Sequence, residues 1–189
     1  IRDILRAENI VESGNYVRVR FSAAGGSGTL EIDNAAIAEA QWVGNINGTA
    51  YRYSDVVPGT LKPLTFNGGQ TSVSIAPGQS VWTDWVYGSF DLSKDYSIGF
   101  HKVSSGPMVK YDSRAVISNS VGGYYDTFSM SVGGNHVLTE KWSDQNLGLL
   151  PEEQRLLGID KVEVTFIPQQ QTPWQTNANG TLKTNIAYS

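Results

Sequence analysis

His101 and His136 are the only imidazoles in this chain of 189 residues, and cysteine is absent. Nucleophilic hydrolysis needs a hydroxyl or thiol beside a base. The serine of Gly26-Ser27-Gly28 lacks the G-x-S-x-G spacing that lifts a nucleophile above a strand-to-helix turn, and it stands where a hairpin turn is required. His101 follows Phe100 in an alternating apolar run and is expected to point outward from a strand, whereas His136 stands in the glycine-rich loop Gly133-Gly-Asn-His136. Glu152 and Glu153 are neighbours that point apart, unlike the facing carboxylates of a glycosidase. Asp84, Asp91, Asp95 and Asp112 are candidate calcium ligands, but their spacing matches no calcium loop and they read as surface carboxylates. There is no H-E-x-x-H and no glycine-rich phosphate loop between a strand and a helix. Asn47-Gly-Thr49 and Asn179-Gly-Thr181 fit the glycosylation pattern, although Asn-Gly turn chemistry explains both. We therefore expect no enzyme activity, no cofactor and no metal.

Aromatic residues offer a different chemistry. They make up 11% of the chain. Trp and Tyr rings stack on the C–H faces of sugars or anchor protein partners, provided a rigid scaffold holds them outward. Trp42, Tyr51 and Tyr53 flank a polar loop, and Tyr124 and Tyr125 follow a double glycine, so that one of these two must face out of a strand. The stretch SVWTDWVYGSFDL, residues 80–92, holds Trp82 and Trp85 three positions apart. On a regular strand those two lie on opposite faces, so they cannot form one two-ring platform unless a bulge intervenes. Trp82 shares its face with Asp84 and is expected outward; Trp85 shares its face with Val81, Thr83 and Tyr87. The expected ligand-binding set is thus Trp42, Tyr51, Tyr53, Trp82, Tyr124 and Tyr125.

The elements that must position these rings read as strands. With 20 glycines, many Ser, Thr and Asn residues, and 17% charged residues, the composition suits an all-β chain. Tyr16 to Phe21 alternates, with Val17, Val19 and Phe21 inward and Tyr16, Arg18 and Arg20 outward. Ala23 to Gly28 turns the chain, and Thr29 to Asp33 is expected to pair back with Leu30 and Ile32 inward. The segment from Ala35 is expected to continue as a strand through Ile37 toward Trp42. Leu64 to Phe66 leads into the hairpin signal Asn67-Gly-Gly69, followed by Ser72 to Ala76, the turn Pro77-Gly78, and a strand over Ser80 to Tyr87. Further strands are expected over Tyr96 to Phe100, within Met108 to Ile117, and over Lys161 to Phe166 with Val162, Val164 and Phe166 inward. Pro151 to Leu157, with acids in its first turn and Gly158 as a stop, predicts a helix of two turns. Residues 168–189 are rich in Gln, Asn and Thr and poor in apolar residues, so they read as an extended polar arm or linker that could mediate homo-oligomer contacts. These readings give two units: a domain over 1–167, a β-sandwich of about eight to ten antiparallel strands with one short helix, and an arm over 168–189. A jelly roll is preferred to an immunoglobulin-like sandwich because the Cys…Trp…Cys signal is missing.

A net charge of −4 without a basic cluster argues against nucleic acid, and no 18-residue apolar run is present to span a membrane. The sequence opens on Ile1, which we read as a processed protein or a fragment.

The succession Val17-Arg-Val-Arg-Phe-Ser22, Leu30-Glu-Ile32, Ala35-Ala-Ile-Ala38, Leu64-Thr-Phe-Asn-Gly-Gly69, Val73-Ser-Ile-Ala-Pro-Gly78, Val81-Trp-Thr-Asp-Trp-Val86 and Tyr96-Ser-Ile-Gly-Phe100 resembles the non-catalytic jelly-roll domain that precedes the catalytic domain of some SGNH (GDSL-type) hydrolases. Similar domains occur without the hydrolase in bacteriophage tail, fibre and other virion proteins. The resemblance covers residues 1–167 and is best over 16–100. The Gly-Asp-Ser block and the Asp-x-x-His of the hydrolases are missing here. The resemblance implies a binding or structural module of a bacteriophage or a bacterial extracellular protein; with the aromatic residues, the first expectation is a non-catalytic carbohydrate-binding module in a virion or secreted protein, with polysaccharide or cell-surface glycan and other virion subunits as partners. The alternatives are a purely structural decoration, fibre or tail subunit, and an auxiliary domain of a larger carbohydrate esterase.

Overall fold

The computed structural model describes residues 1–5, 13–41, 44–46, 49–51, 55–91, 93–104, 110–112, 129–132, 135–141, 147–149 and 155–167. Among these residues every element is a strand. In chain order they are β1 (Arg2–Leu5), β2 (Gly14–Ser22), β3 (Leu30–Gln41), β4 (Gly44–Ile46), β5 (Thr49–Tyr51), β6 (Asp55–Val56), β7 (Lys62–Leu64), β8 (Val73–Ile75), β9 (Ser80–Trp82), β10 (Val86–Phe90), β11 (Tyr96–Lys102), β12 (Lys110–Asp112), β13 (Ser129–Val132), β14 (Leu147–Leu149), β15 (Arg155–Leu157) and β16 (Ile159–Thr165).

All pairings are antiparallel. The larger sheet runs β14-β13-β1-β11-β3, and β6, β7 and β8 lie end to end along the far edge of β3. The smaller sheet is built on β2, which takes β16 along one edge and β9 and β10 in succession along the other. Two further ladders join β12 to β15 and β4 to β5. The sixteen strands of the described residues exceed the expected eight to ten: β9 and β10 are one run interrupted at residues 83–85, three short segments share one edge of β3, and two short ladders, β4-β5 and β12-β15, stand outside the two main sheets.

The two sheets share one core, which makes the architecture sandwich-like. Val17, Val19, Phe21, Ile159 and Val162 from the smaller sheet meet Leu5, Ile32, Ile37, Leu64, Ile75, Ile98 and Phe100 from the larger. Phe21 is at the centre, with ring centroids 5.2 Å from Phe100 and 5.9 Å from Phe66. In β3 the ladder passes from Asn34↔His101 to Ile32↔Lys102, so Asp33 is an extra residue. That bulge keeps Leu30 and Ile32 in the core before it and Ala35 and Ile37 after it. The other face of the larger sheet is also covered. Arg2, Ile4, Ala36 and Ala38 are buried there. The segment 135–141 crosses near them: Val137 is buried, Arg2 donates to the Thr139 carbonyl, and the Glu140 carbonyl accepts from the Val56 amide at 3.0 Å. Burial lowers the Arg2 guanidinium to a pKa of about 10.

Three sequence expectations change here. Thr29 to Asp33 does not pair back on Tyr16–Phe21; β2 and β3 belong to different sheets, and the turn over residues 23–28 carries the chain across the core. Leu30 and Ile32 face inward either way, so the alternation pattern could not tell a hairpin from a crossing. The helix expected over 151–157 does not extend through its second half: Arg155–Leu157 is β15, hydrogen-bonded against Lys110–Asp112. The pairing partner outweighs the local start and stop signals; residues 151–154 lie outside the described residues. Phe166 is not inward. It follows the end of β16 and is 67% exposed, next to Ile167 at 46%. The arm over 168–189 lies outside the described residues.

Candidate aromatic face of the smaller sheet

The outer face of the smaller sheet follows from alternation in β2. With Val17, Val19 and Phe21 in the core, Tyr16, Arg18 and Arg20 point out. Opposite them, β16 presents acids. Glu163 is the ladder partner of Arg18 and accepts from its Nε at 2.8 Å. Asp160 is an extra residue in the β16 ladder, which passes from Ile159↔Phe21 to Lys161↔Arg20. This second bulge turns its carboxylate to Arg20, which donates to both of its oxygens at 2.8 and 2.9 Å.

On the other edge of β2, the ladder passes from Arg20↔Trp82 to Val17↔Val86. The central strand advances three residues while its partner advances four, so a bulge occupies residues 83–85. Thr83 is its buried pivot. Its amide donates to the Val19 carbonyl at 2.8 Å, its Oγ1 accepts from the Val19 amide at 3.0 Å, and it bridges to Phe66, two residues beyond β7. Asp84 reaches the turn over residues 66–70, where Asn67, Gly68 and Gly69 all hold positive φ (49°, 79° and 113°). Its carboxylate accepts from the Gly68 amide at 2.9 Å, the Gly69 amide at 2.8 Å and the Thr65 hydroxyl at 2.7 Å. These donors, the Gly68 amide foremost, hold the Asp84 carboxyl below its ordinary pKa.

The consequence reverses the expectation for the two tryptophans. A regular strand would separate them; the extra residue puts both on the outer face. The Arg18 guanidinium carbon lies 4.3 Å from the Trp82 ring centroid and 4.5 Å from that of Trp85, so the cation rests against both indoles. Arg20 and Lys161 approach Trp82 at 5.4 and 5.9 Å. Beyond Trp85 the stripe continues with Tyr87, whose ring meets Tyr16 edge-on at 5.3 Å.

Trp82 is outward, as expected, but three cations cover it, and it acts as a rung of the ladder rather than a free ring. The open rings are Trp85, 37% exposed, and Tyr87, 53% exposed. The sequence reading placed both on the face opposite Trp82. A signal was present: Val81 and Val86 both pack on the core, yet they stand five apart, an odd spacing that no regular strand permits on one face. Of the other expected ring positions, Tyr51 ends β5, where its backbone pairs with Gly44, and Trp42, Tyr53, Tyr124 and Tyr125 lie outside the described residues.

The remaining candidates show less. His101 Nδ1 lies 2.7 Å from Asp33 Oδ1 at the β3 bulge, and Asn135 approaches the same oxygen at 3.5 Å. Asp91 accepts from the Ser93 amide and hydroxyl, both at 2.8 Å. Among the described residues no three His, Cys, Asp or Glu side chains converge as a metal site. An open depression of about 430 Å³ is lined by Glu31, Asp33, Asn67, Gln70 and Ser72 among others, and no ring lines it. No protein-family model matches the chain, and no curated protein matches it in sequence.

Proposed function

We propose that this chain is a non-catalytic carbohydrate-binding module that engages its ligand through the outer face of the smaller sheet. The observation that carries this reading is the stripe Trp82–Arg18–Trp85–Tyr87, in which the Arg18 guanidinium lies against both indoles, Tyr87 meets Tyr16 edge-on, and Trp85 and Tyr87 stay open. Fixed, exposed rings beside hydrogen-bonding side chains are what a sugar-stacking surface requires. The covered outer face of the larger sheet leaves the smaller sheet's face as the open one in the described residues. The resemblance to jelly-roll domains of SGNH hydrolases and virion proteins supports the same reading, since its motifs fall on β2, β3, the 66–70 turn, β8 and β11. A jelly roll in a virion or extracellular protein, without esterase activity of its own, is the setting we infer.

The test is a glycan array and a cell-surface polysaccharide binding assay with the intact chain and with a W85A/Y87A double variant. Binding that the double variant loses is the expected result. Ester hydrolysis by the chain alone would contradict the non-catalytic assignment. A second reading, a structural virion subunit, draws on Phe166 and Ile167, exposed side by side directly ahead of the polar segment 168–189. No glycan binding together with a stable oligomer by light scattering would favour it over the first.

A further inference from the structure

We infer that the aromatic face takes an uncharged polysaccharide, built of pyranoses with equatorial substituents, and not an acidic one. This rests on the carbohydrate-binding reading of the same face. Arginines beside exposed rings would ordinarily suggest recognition of uronates, sulfates or sialic acids. Here the arginines are already occupied. Arg18 gives its Nε and a terminal nitrogen to Glu163, at 2.8 and 2.6 Å, while the Trp82 and Trp85 rings lie 4.3 and 4.5 Å from its guanidinium carbon. Arg20 is bound through two nitrogens to both oxygens of Asp160. A ligand carboxylate would have to displace a protein carboxylate that is held by the strand register itself, Glu163 opposite Arg18.

The local charge points the same way. Arg18, Arg20 and Lys161 against Asp160 and Glu163 leave the stripe with one positive charge, in a chain of net −4. That is no field for a polyanion. What the face offers instead is apolar ring surface at Trp85 and Tyr87 and the partly exposed carboxylate of Glu163 as a hydroxyl acceptor. Stacking on a ring demands a sugar face bearing only C–H groups. Pyranoses with all substituents equatorial, as in β-linked glucans, present such a face.

The experiment compares two soluble polymers by affinity electrophoresis or calorimetry: hydroxyethylcellulose, uncharged, and polygalacturonate, acidic. The expected result is binding of the uncharged polymer, changing less than about twofold between ~50 mM and ~1 M NaCl because no counterion-screened contact is involved. Y87A should weaken it by about tenfold, the size of one lost ring contact. Because Trp85 also holds Arg18, Y87A is the cleaner variant, and near-native circular dichroism should accompany it. Binding of polygalacturonate alone, lost at high salt, would overturn this inference and leave the carbohydrate-binding reading standing. Failure of both polymers and of every glycan on the array would overturn both.

Discussion

Asp84 ties a turn fifteen residues upstream to the strand that carries the tryptophans. Its three acceptor contacts favour the carboxylate, so its pKa is lower in the folded chain than in the unfolded one. The stabilisation is fully present above the unfolded carboxyl value, near 4, and is lost as pH falls through the lower folded value. Asp84→Asn should therefore destabilise the protein at neutral pH, by on the order of 1 kcal/mol for a partly exposed charged hydrogen-bond set. The gap to the parent should narrow as pH falls below the unfolded carboxyl value and close only below the lower folded one, where both side chains are neutral. Denaturant melts at pH 7 and pH 3 check this, and a gap that stays constant or widens in acid would contradict it. Asp91, held by Ser93, is shifted in the same direction and remains in the variant as an internal control.

At the scale of elements, the 83–85 bulge decides what the outer face displays. Thr83 makes it possible by filling a core position with a side chain that satisfies the Val19 amide. Thr83→Val keeps the volume but leaves that buried donor without its acceptor, at a cost of about 1–3 kcal/mol. Trp85 fluorescence should then shift, because the bulge that sets its plane is loosened. Unchanged stability together with unchanged emission would show that the bulge does not depend on this hydroxyl. Much of the element pattern was legible in the sequence: the alternation of β2 places Arg18 and Arg20 outward, and Asn67-Gly-Gly69 marks its turn. The face of Trp85 was not legible from alternation, because a period of two holds only while the register holds. The clue was Val81 and Val86 out of phase. The crossing after Ser22 was hidden for a different reason: inward Leu30 and Ile32 satisfy either sheet, and only long-range pairing chooses. The same holds for Arg155–Leu157, where a remote partner overrides helix signals.

For the whole molecule, Phe21 joins the two sheets. It is fully buried, and its ring meets Phe100 of the larger sheet and Phe66 at the start of the 66–70 turn. Phe21→Ala opens a cavity where the layers meet and should cost about 3–5 kcal/mol, a large part of the stability of a single domain. Chemical denaturation followed by tryptophan emission measures it. A loss below about 1 kcal/mol would mean that the layers are held together elsewhere. Ligand-face variants such as Y87A, by contrast, should leave stability close to the parent, since Tyr87 is more than half exposed.

β3 has one continuous neighbour, β11, along one side and three separate segments, β6, β7 and β8, along the other. Backbone groups alternate between these sides: the Ala40 amide bonds Asp95 beside β11, while the Glu39 carbonyl bonds Val57 after β6. Neighbouring amides of a single strand thus report different events. In native-state hydrogen exchange, those facing β11 should exchange together near the global unfolding free energy, and those facing the segments should exchange earlier, in separate groups. One strand would behave as a fixed bar on its inner side and as three independent latches on its outer side, so part of this edge can open while the rest of the sheet stays closed.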